Sequence, residues 1–224
     1  MRRQGRPAGP ARSGRRRGES RLSRDTQTLK NAAVLISGRG SNLSALMAAQ
    51  GSAYRIVLVV SNVEGAGGLE IAAAAGIPVK VIPHQGKSRE TFDAEVDAVL
   101  REAGADIVCL AGFMRILSDG FVRAWEGKLV NIHPSLLPAY KGIRVHERVI
   151  EAKEALSGAS VHFVVPELDA GPVIAQGSVP VHPSDTPQTL AARVLEIEHS
   201  LYPQALQLLA TGGVRLEKGL AVFG

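Results

Sequence analysis

Cysteine is nearly absent from this chain: among 224 residues there is one, Cys109. That excludes an internal disulfide and any cysteine-based zinc cluster. Cys109 lies in the apolar run DIVCLAG, where a small buried thiol is expected, not a nucleophile. Aromatic residues make up only 4%, while Ala, Val, Leu and Gly are abundant, as in α/β proteins built on parallel sheets. No apolar stretch approaches the ~20 residues that span a bilayer. Positive charge is also scarce once residues 1–30 are set aside. That segment holds nine arginines and Lys30 against Glu19 and Asp25, which leaves it eight positive. Residues 31–224 hold 16 basic and 19 acidic side chains, which leaves them three negative. The formal charge of +5 therefore describes the tail and says little about the domain.

The tail, residues 1–30, has almost no apolar residues and cannot bury enough surface to order itself. Its charge could touch nucleic acid or an anionic membrane. It is Arg-rich like some targeting peptides, but it lacks a secretory apolar core and a clear amphipathic stripe. The simplest expectation is an idle disordered extension, or a translation start set too far upstream.

From Asn31 onward the pattern alternates. AAVLIS, YRIVLVVSN, IPVKVI, DIVCLAG and KLVNI read as buried strands. SNLSALMAAQ reads as a helix capped by Ser41 or Asn42, and GGLEIAAAAG as a short helix stopped by Gly76. SRETFDAEVDAVLREAG carries Phe92, Val96, Val99 and Leu100 as a helical stripe closed by Gly104. After Gly142, RVHERVIEAKEAL reads as a helix, and ASVHFVV and PVIAQGSVPV as two strands that pair antiparallel. TPQTLAARVLEIEHSLYPQALQLLA is one long helix or two broken near Pro203. This rhythm predicts an α/β, Rossmann-like fold. A mostly parallel twisted sheet carries helices on both faces and makes an antiparallel excursion toward the C-terminus.

Three loops fall at the carboxyl ends of strands, where open α/β sheets bind ligands. SGRGSN precedes a helix, so its backbone amides and the helix dipole suit one phosphate, although a tight βα turn without a ligand explains it too. It lacks the third glycine of a dinucleotide fingerprint and the Gly-Lys-Ser/Thr of a Walker loop. GFMRILS follows the fourth strand. NIHPSLLPAYKG follows the fifth and sets Asn131 and His133 two apart, hence on one side of an extended segment, before two prolines stiffen the chain. In VPELDAGPVIAQG, Asp169 sits in a turn. It either satisfies its own backbone or lies near His133 and favours the charged imidazole. An amide donor, a cationic imidazole and a carboxylate suit acyl transfer, in which an oxyanion forms and a leaving amine needs a proton. A hydrolase triad fits poorly, because Ser135 lacks the nucleophile-elbow frame. The six histidines show no H-x-H or H-x-x-x-H spacing for a metal.

Four stretches, VLISGRGSNL, LAGFMRILS, NIHPSLLPAYKG and SVHFVVPELDAGPVIAQ, together resemble the phosphoribosylglycinamide formyltransferases, a folate-dependent family of purine synthesis. The resemblance runs from about Asn31 to the end with order and spacing kept. It implies a formyltransferase domain over residues 31–224. Asn131, His133 and Asp169 would be the catalytic trio. Gly40, Ser41, Asn42 and Glu198 would hold glycinamide ribotide. Arg89, Met114, Arg115, Ile116, Leu117, Asn131, Val165, Pro166, Glu167, Leu168 and Asp169 would form the folate site. It further implies 10-formyltetrahydrofolate as co-substrate and no metal. The enzyme would be a cytoplasmic monomer or weak homodimer, with small-molecule substrates and neither nucleic acid nor membrane as partner. Arg39 and Arg144 depart from the pattern, standing where smaller or uncharged residues are expected. Formyltetrahydrofolate deformylase would use the same trio with water as acceptor, but it normally carries an N-terminal regulatory domain. Methionyl-tRNA formyltransferase would need a further C-terminal barrel. A nucleic-acid-binding module using the tail would leave the trio without a purpose.

Overall fold

Alternate side chains of β1 (Lys30–Ile36) feed two separate cores, as the period of a strand requires. Ala32, Val34 and Ile36 join one apolar cluster, and Ala33 and Leu35 join the other. A strand buried on both faces reads as a continuous apolar run, which is why its sequence shows no alternation. The computed structural model describes Met1 and residues 29–224. The expectation for the tail therefore lies outside the described residues, apart from its two ends.

The chain continues through α1 (Ser41–Ala48), β2 (Tyr54–Ser61), α2 (Gly67–Ala74), β3 (Val79–Val81), α3 (Arg89–Glu102) and β4 (Ile107–Leu110). Then follow α4 (Asp119–Ala124), β5 (Leu129–His133), α5 (Val145–Glu151), β6 (Leu156–Phe163), β7 (Val173–Pro180) and α6 (Pro187–Thr211). Seven strands form one sheet in the order β3-β2-β1-β4-β5-β6-β7. The first five run parallel, while β6 pairs antiparallel with both β5 and β7. The α/β, Rossmann-like reading and its antiparallel excursion hold. Residues of α1, α2, α5 and α6 pack into the first cluster, and those of α3 and α4 into the second. The order reverses between β1 and β4, and that switch point opens a crevice at their carboxyl ends.

Several local expectations change. Neither Ser41 nor Asn42 caps α1. Gly40 does so in a left-handed conformation (φ 81°), with no side-chain cap. Asn42 is turned inward instead. The helix after Gly142 stops at Glu151, because Lys153 turns left-handed (φ 54°) and Leu156 already belongs to β6. Of the two readings of the last long segment, the single helix holds, and α6 runs through Pro203. Two elements were not expected: the short α4, and a separate antiparallel hairpin of β8 (Val214–Glu217) and β9 (Leu220–Phe223).

Candidate active site

β5 ends on Asn131 and His133, and the antiparallel register sets His162 opposite Asn131 and Ser160 opposite His133. His162 is buried, and its Nδ1–H donates to the Phe163 carbonyl at 2.8 Å. That bond leaves Nε2 as an acceptor for the Asn131 amide at 3.2 Å. Burial pushes the pKa of His162 down, and the neighbouring His133 pushes the same way against the Phe163 carbonyl and Asp169. A neutral His162 therefore orients the Asn131 amide. Sequence reasoning missed this residue, because only the strand register brings it beside Asn131.

Asp169 reaches the pair by a doubling-back of the chain. The segment leaves β6 beside Leu129, where the Val164 N–H donates to the Leu129 carbonyl at 2.9 Å. It returns to His133 through Asp169, itself left-handed at φ 48°. At Gly171 the two limbs are so close that a Cβ would lie 1.7 Å from the Phe163 oxygen. The Asp169 side chain is 8% exposed, with Oδ2 3.4 Å from His133 Nδ1 and Oδ1 3.7 Å from His162 Nε2. Oδ2 also accepts the Gly142 N–H at 2.8 Å. This carboxylate thus ties two loops together, where a simple turn aspartate would serve its own backbone. His133 Nε2 donates to the Tyr140 carbonyl at 3.0 Å, so both ring nitrogens face acceptor oxygens.

The loop that carries His133 is braced from beneath. Ser160 Oγ donates to the Ser135 carbonyl at 2.7 Å and accepts the Leu137 N–H at 3.1 Å. Gln176 Nε2 donates to Ser160 Oγ at 2.8 Å and to the Leu137 carbonyl at 3.0 Å. Polar groups at this depth are costly unless paired, so the loop is held by the satisfaction of its own backbone.

A second grouping lies where α1 begins. The first amides of a helix have no intrahelical partner, and the uncapped start at Gly40, Ser41 and Asn42 presents them with the positive end of the dipole. Asn42 Nδ2 donates to Glu198 Oε2 on α6 at 2.6 Å, in a buried contact. Burial raises the Glu198 pKa, and the Asn42 hydrogen bond works against it. Asn42 Oδ1 is buried with no partner among the described residues, so this amide can still accept one hydrogen bond.

The residues implied for folate divide by environment. Met114, Ile116 and Leu168 are 76%, 57% and 53% exposed, apolar side chains held out toward solvent. Leu117 is buried in the second cluster. The Arg115 guanidinium lies 4.7 Å over the Phe92 ring and donates to the Lys87 and Ser88 carbonyls at 3.4 and 3.3 Å. Its charge thus serves the approach to α3, where Arg89 is the exposed first residue. Val165 is half-buried, and Pro166 and Glu167 are exposed. The Met114 N–H donates to Ser37 Oγ at 2.7 Å, which ties the loop after β4 to the loop after β1. Arg39 and Arg144 are both exposed, and Arg144 is left-handed at the start of α5.

Residues 30–206 match the family described as Formyl transferase. The chain is 43% identical over 198 residues to phosphoribosylglycinamide formyltransferase of Escherichia coli, covering 85% of this chain and 92% of that one. It is 53% identical over 188 residues to the trifunctional purine biosynthetic protein adenosine-3 of Bos taurus. That match covers 82% of this chain but only 19% of the relative's length. Among solved structures, phosphoribosylglycinamide formyltransferase of Anaplasma phagocytophilum superposes with TM-score 0.81 at 44% identity, covering 88% and 95% of the two chains. A formyltetrahydrofolate deformylase of Pseudomonas syringae also reaches 0.81, at 27% identity and covering 88% of this chain and 66% of its own.

Proposed function

The chain belongs to the formyl transferase family, and from that premise we propose that it carries the formyl group of 10-formyltetrahydrofolate to the amine of 5-phosphoribosyl-glycinamide. The products are formylglycinamide ribotide and tetrahydrofolate. The observation that carries the reading is that Asp169 Oδ2 lies 3.4 Å from His133 Nδ1 and Oδ1 lies 3.7 Å from His162 Nε2, which in turn meets the Asn131 amide at 3.2 Å. The amine nitrogen attacks the formyl carbon, and the carbonyl oxygen gains negative charge. Asn131, with one amide hydrogen committed to His162, offers the other to that oxygen. His133 stabilises the same charge, gives a proton to N10 as the carbon–N10 bond breaks and regains one from the attacking amine. Asp169 holds His133 from Nδ1 and balances its charge. Donors fixed before the reaction act without reorganisation, which is where such sites gain most.

The second substrate is the reason to prefer transfer over hydrolysis. Gly40, Ser41 and Asn42 at an uncapped helix start suit a phosphate. Glu198 beside Asn42 suits the hydroxyls or amide of a phosphoribosyl compound. A hydrolase that uses water has no need of either. Holding the amine within attack distance makes the step effectively unimolecular. The exposed Met114, Ile116 and Leu168 offer apolar contacts for a flat pterin. The test is a spectrophotometric assay of 10-formyltetrahydrofolate with and without phosphoribosyl-glycinamide. Consumption should require the amine. Turnover that runs equally fast without it would replace the transferase reading with the deformylase one.

A further inference from the structure

Where the loop after β1 meets the start of α2, backbone lies directly against backbone. A Cβ on Gly40 would lie 2.5 Å from Gly68 Cα, and a Cβ on Gly68 would lie 3.1 Å from Gly40 Cα. The two backbones are in direct contact. The Gly68 N–H, one of the free amides of the α2 first turn, donates to the Gly38 carbonyl at 3.1 Å. The loop is thus gripped from outside at its first glycine by a hydrogen bond and at its second by van der Waals contact. Gly40 must also stay left-handed to lead into α1.

We propose that Gly68 is a positioning residue for the phosphorylated substrate, acting through Gly38 and Gly40 to aim the first amides of α1. The inference rests on the reading of that loop as the phosphate site. Gly68 touches no reacting atom. It sets where the loop lies, and a displacement of even part of an ångström turns the Ser41 and Asn42 amides off a bound anion. Its neighbour supplies the control. A Cβ on Gly67 would meet Arg39 O at 3.6 Å and Arg39 Cα at 3.7 Å, ordinary contacts that need no movement. Gly67→Ala and Gly68→Ala make the same chemical change one residue apart in one helix, and only the second presses on the loop. The Cβ of Gly68→Ala also meets Ile36 Cδ1 at 2.5 Å. Ile36→Val removes that atom, so the double variant keeps the pressure on Gly40 while relieving the core.

Steady-state KM values for phosphoribosyl-glycinamide and for 10-formyltetrahydrofolate, with a melting curve for each variant, test this. Gly68→Ala, alone and with Ile36→Val, should raise KM for the phosphorylated substrate by about ten-fold, in keeping with the sensitivity of such sites to small misplacements. KM for the folate should stay within about two-fold, and Gly67→Ala should match the unsubstituted enzyme. A merely structural role would lower the melting temperature and leave the two KM values in proportion. If Gly68→Ala behaves as Gly67→Ala does, the inference is overturned. Inorganic phosphate keeps that failure distinct from failure of the underlying reading. It should compete with the phosphorylated substrate in the unsubstituted enzyme, and Asn42→Asp should raise that substrate's KM. If neither occurs, the phosphate site itself is misassigned and Gly68 loses its role with it.

Discussion

Asp169→Asn isolates charge from shape at the centre of the site. Asparagine tolerates the left-handed backbone that Asp169 adopts at φ 48°. Its amide oxygen can still accept the Gly142 N–H now bonded at 2.8 Å. Its NH₂ would then face His162 Nε2, 3.7 Å from the present Oδ1. What disappears is a negative charge 3.4 Å from His133 Nδ1. At an effective dielectric near 20, unit charges at that separation attract by about 5 kcal/mol before desolvation is counted. The asparagine dipole keeps part of this, and removing comparable electrostatic help from oxyanion sites costs about 2.7–4 kcal/mol. The expected loss in kcat is therefore on the order of 10² to 10³, with both KM values and the melting temperature little changed, because the lost interaction grows with charge in the transition state. Asp169→Ala should lose kcat as well, but it also frees the Gly142 amide and should loosen folate binding. Steady-state kinetics with both substrates, beside thermal melts, separate the two variants. A fall in kcat of less than about ten-fold in a fully folded Asp169→Asn enzyme would refute the assignment and leave Asp169 as a tie between loops.

Three further outcomes follow from other parts of the molecule. Burial raises the Glu198 pKa above its ordinary 4.5. The folded protein therefore holds that proton more tightly than the unfolded chain, and stability is lost as pH rises from about 4.5 through the raised value. Glu198→Gln lacks this slope, so urea midpoints should favour the variant increasingly as pH rises through that window and converge below it; parallel curves would contradict the burial effect. Tyr202 is fully buried and its hydroxyl donates to the Leu110 and Val130 carbonyls at 3.0 and 3.2 Å. Tyr202→Phe should cost about 1–3 kcal/mol in urea unfolding, and a neutral result would mean that those carbonyls find other partners. Removing residues 1–28 should leave kinetic constants within a few-fold at moderate salt, whereas a loss of substrate affinity that vanishes at high salt would show that the tail steers anions.

The parallel half of the sheet was legible because burial on both faces writes long apolar runs, as in β1 and β2. α3 was legible because one apolar face repeats through Phe92, Val96 and Leu100. Elements that depend on tertiary contacts were not. α6 continues through Pro203 because Tyr202, Pro203 and Leu206 are buried in one core, and that packing outweighs a missing hydrogen bond. α4 is six residues long with Gly120 in its first turn, too short for a periodic signal. The final hairpin turns on Lys218 and Gly219, both left-handed, a two-residue loop whose Lys-Gly pair carries less signal than Asn-Gly. Within the site, the spacing of Asn131 and His133 announced itself. The approach of Asp169 depends on a doubled-back segment, and that of His162 on a register, neither of which local sequence records.

The division of labour in the site follows from where its parts are anchored. Asn131 and His133 belong to β5, and His162 to β6, so the groups proposed to polarise a formyl carbon are set by one antiparallel strand pair. That pair is indifferent to the nucleophile, because water and an amine attack the same carbon. The acceptor end is built differently. Asn42 and Glu198 stand 156 residues apart in the chain and meet only because α1 packs on α6. One turn beyond Glu198, Tyr202 bonds to the carbonyls of Leu110 in β4 and Val130 in β5, the latter adjoining Asn131. The hydroxyl therefore fixes α6 against the strand that carries the formyl chemistry. On the proposed reading, the choice of amine over water is a property of how α1, α6 and the sheet are docked, while activation of the formyl group resides in the strand pair together with Asp169 on the segment that follows β6. A variant that redirected the same trio toward water would need to change the first and could leave the second untouched.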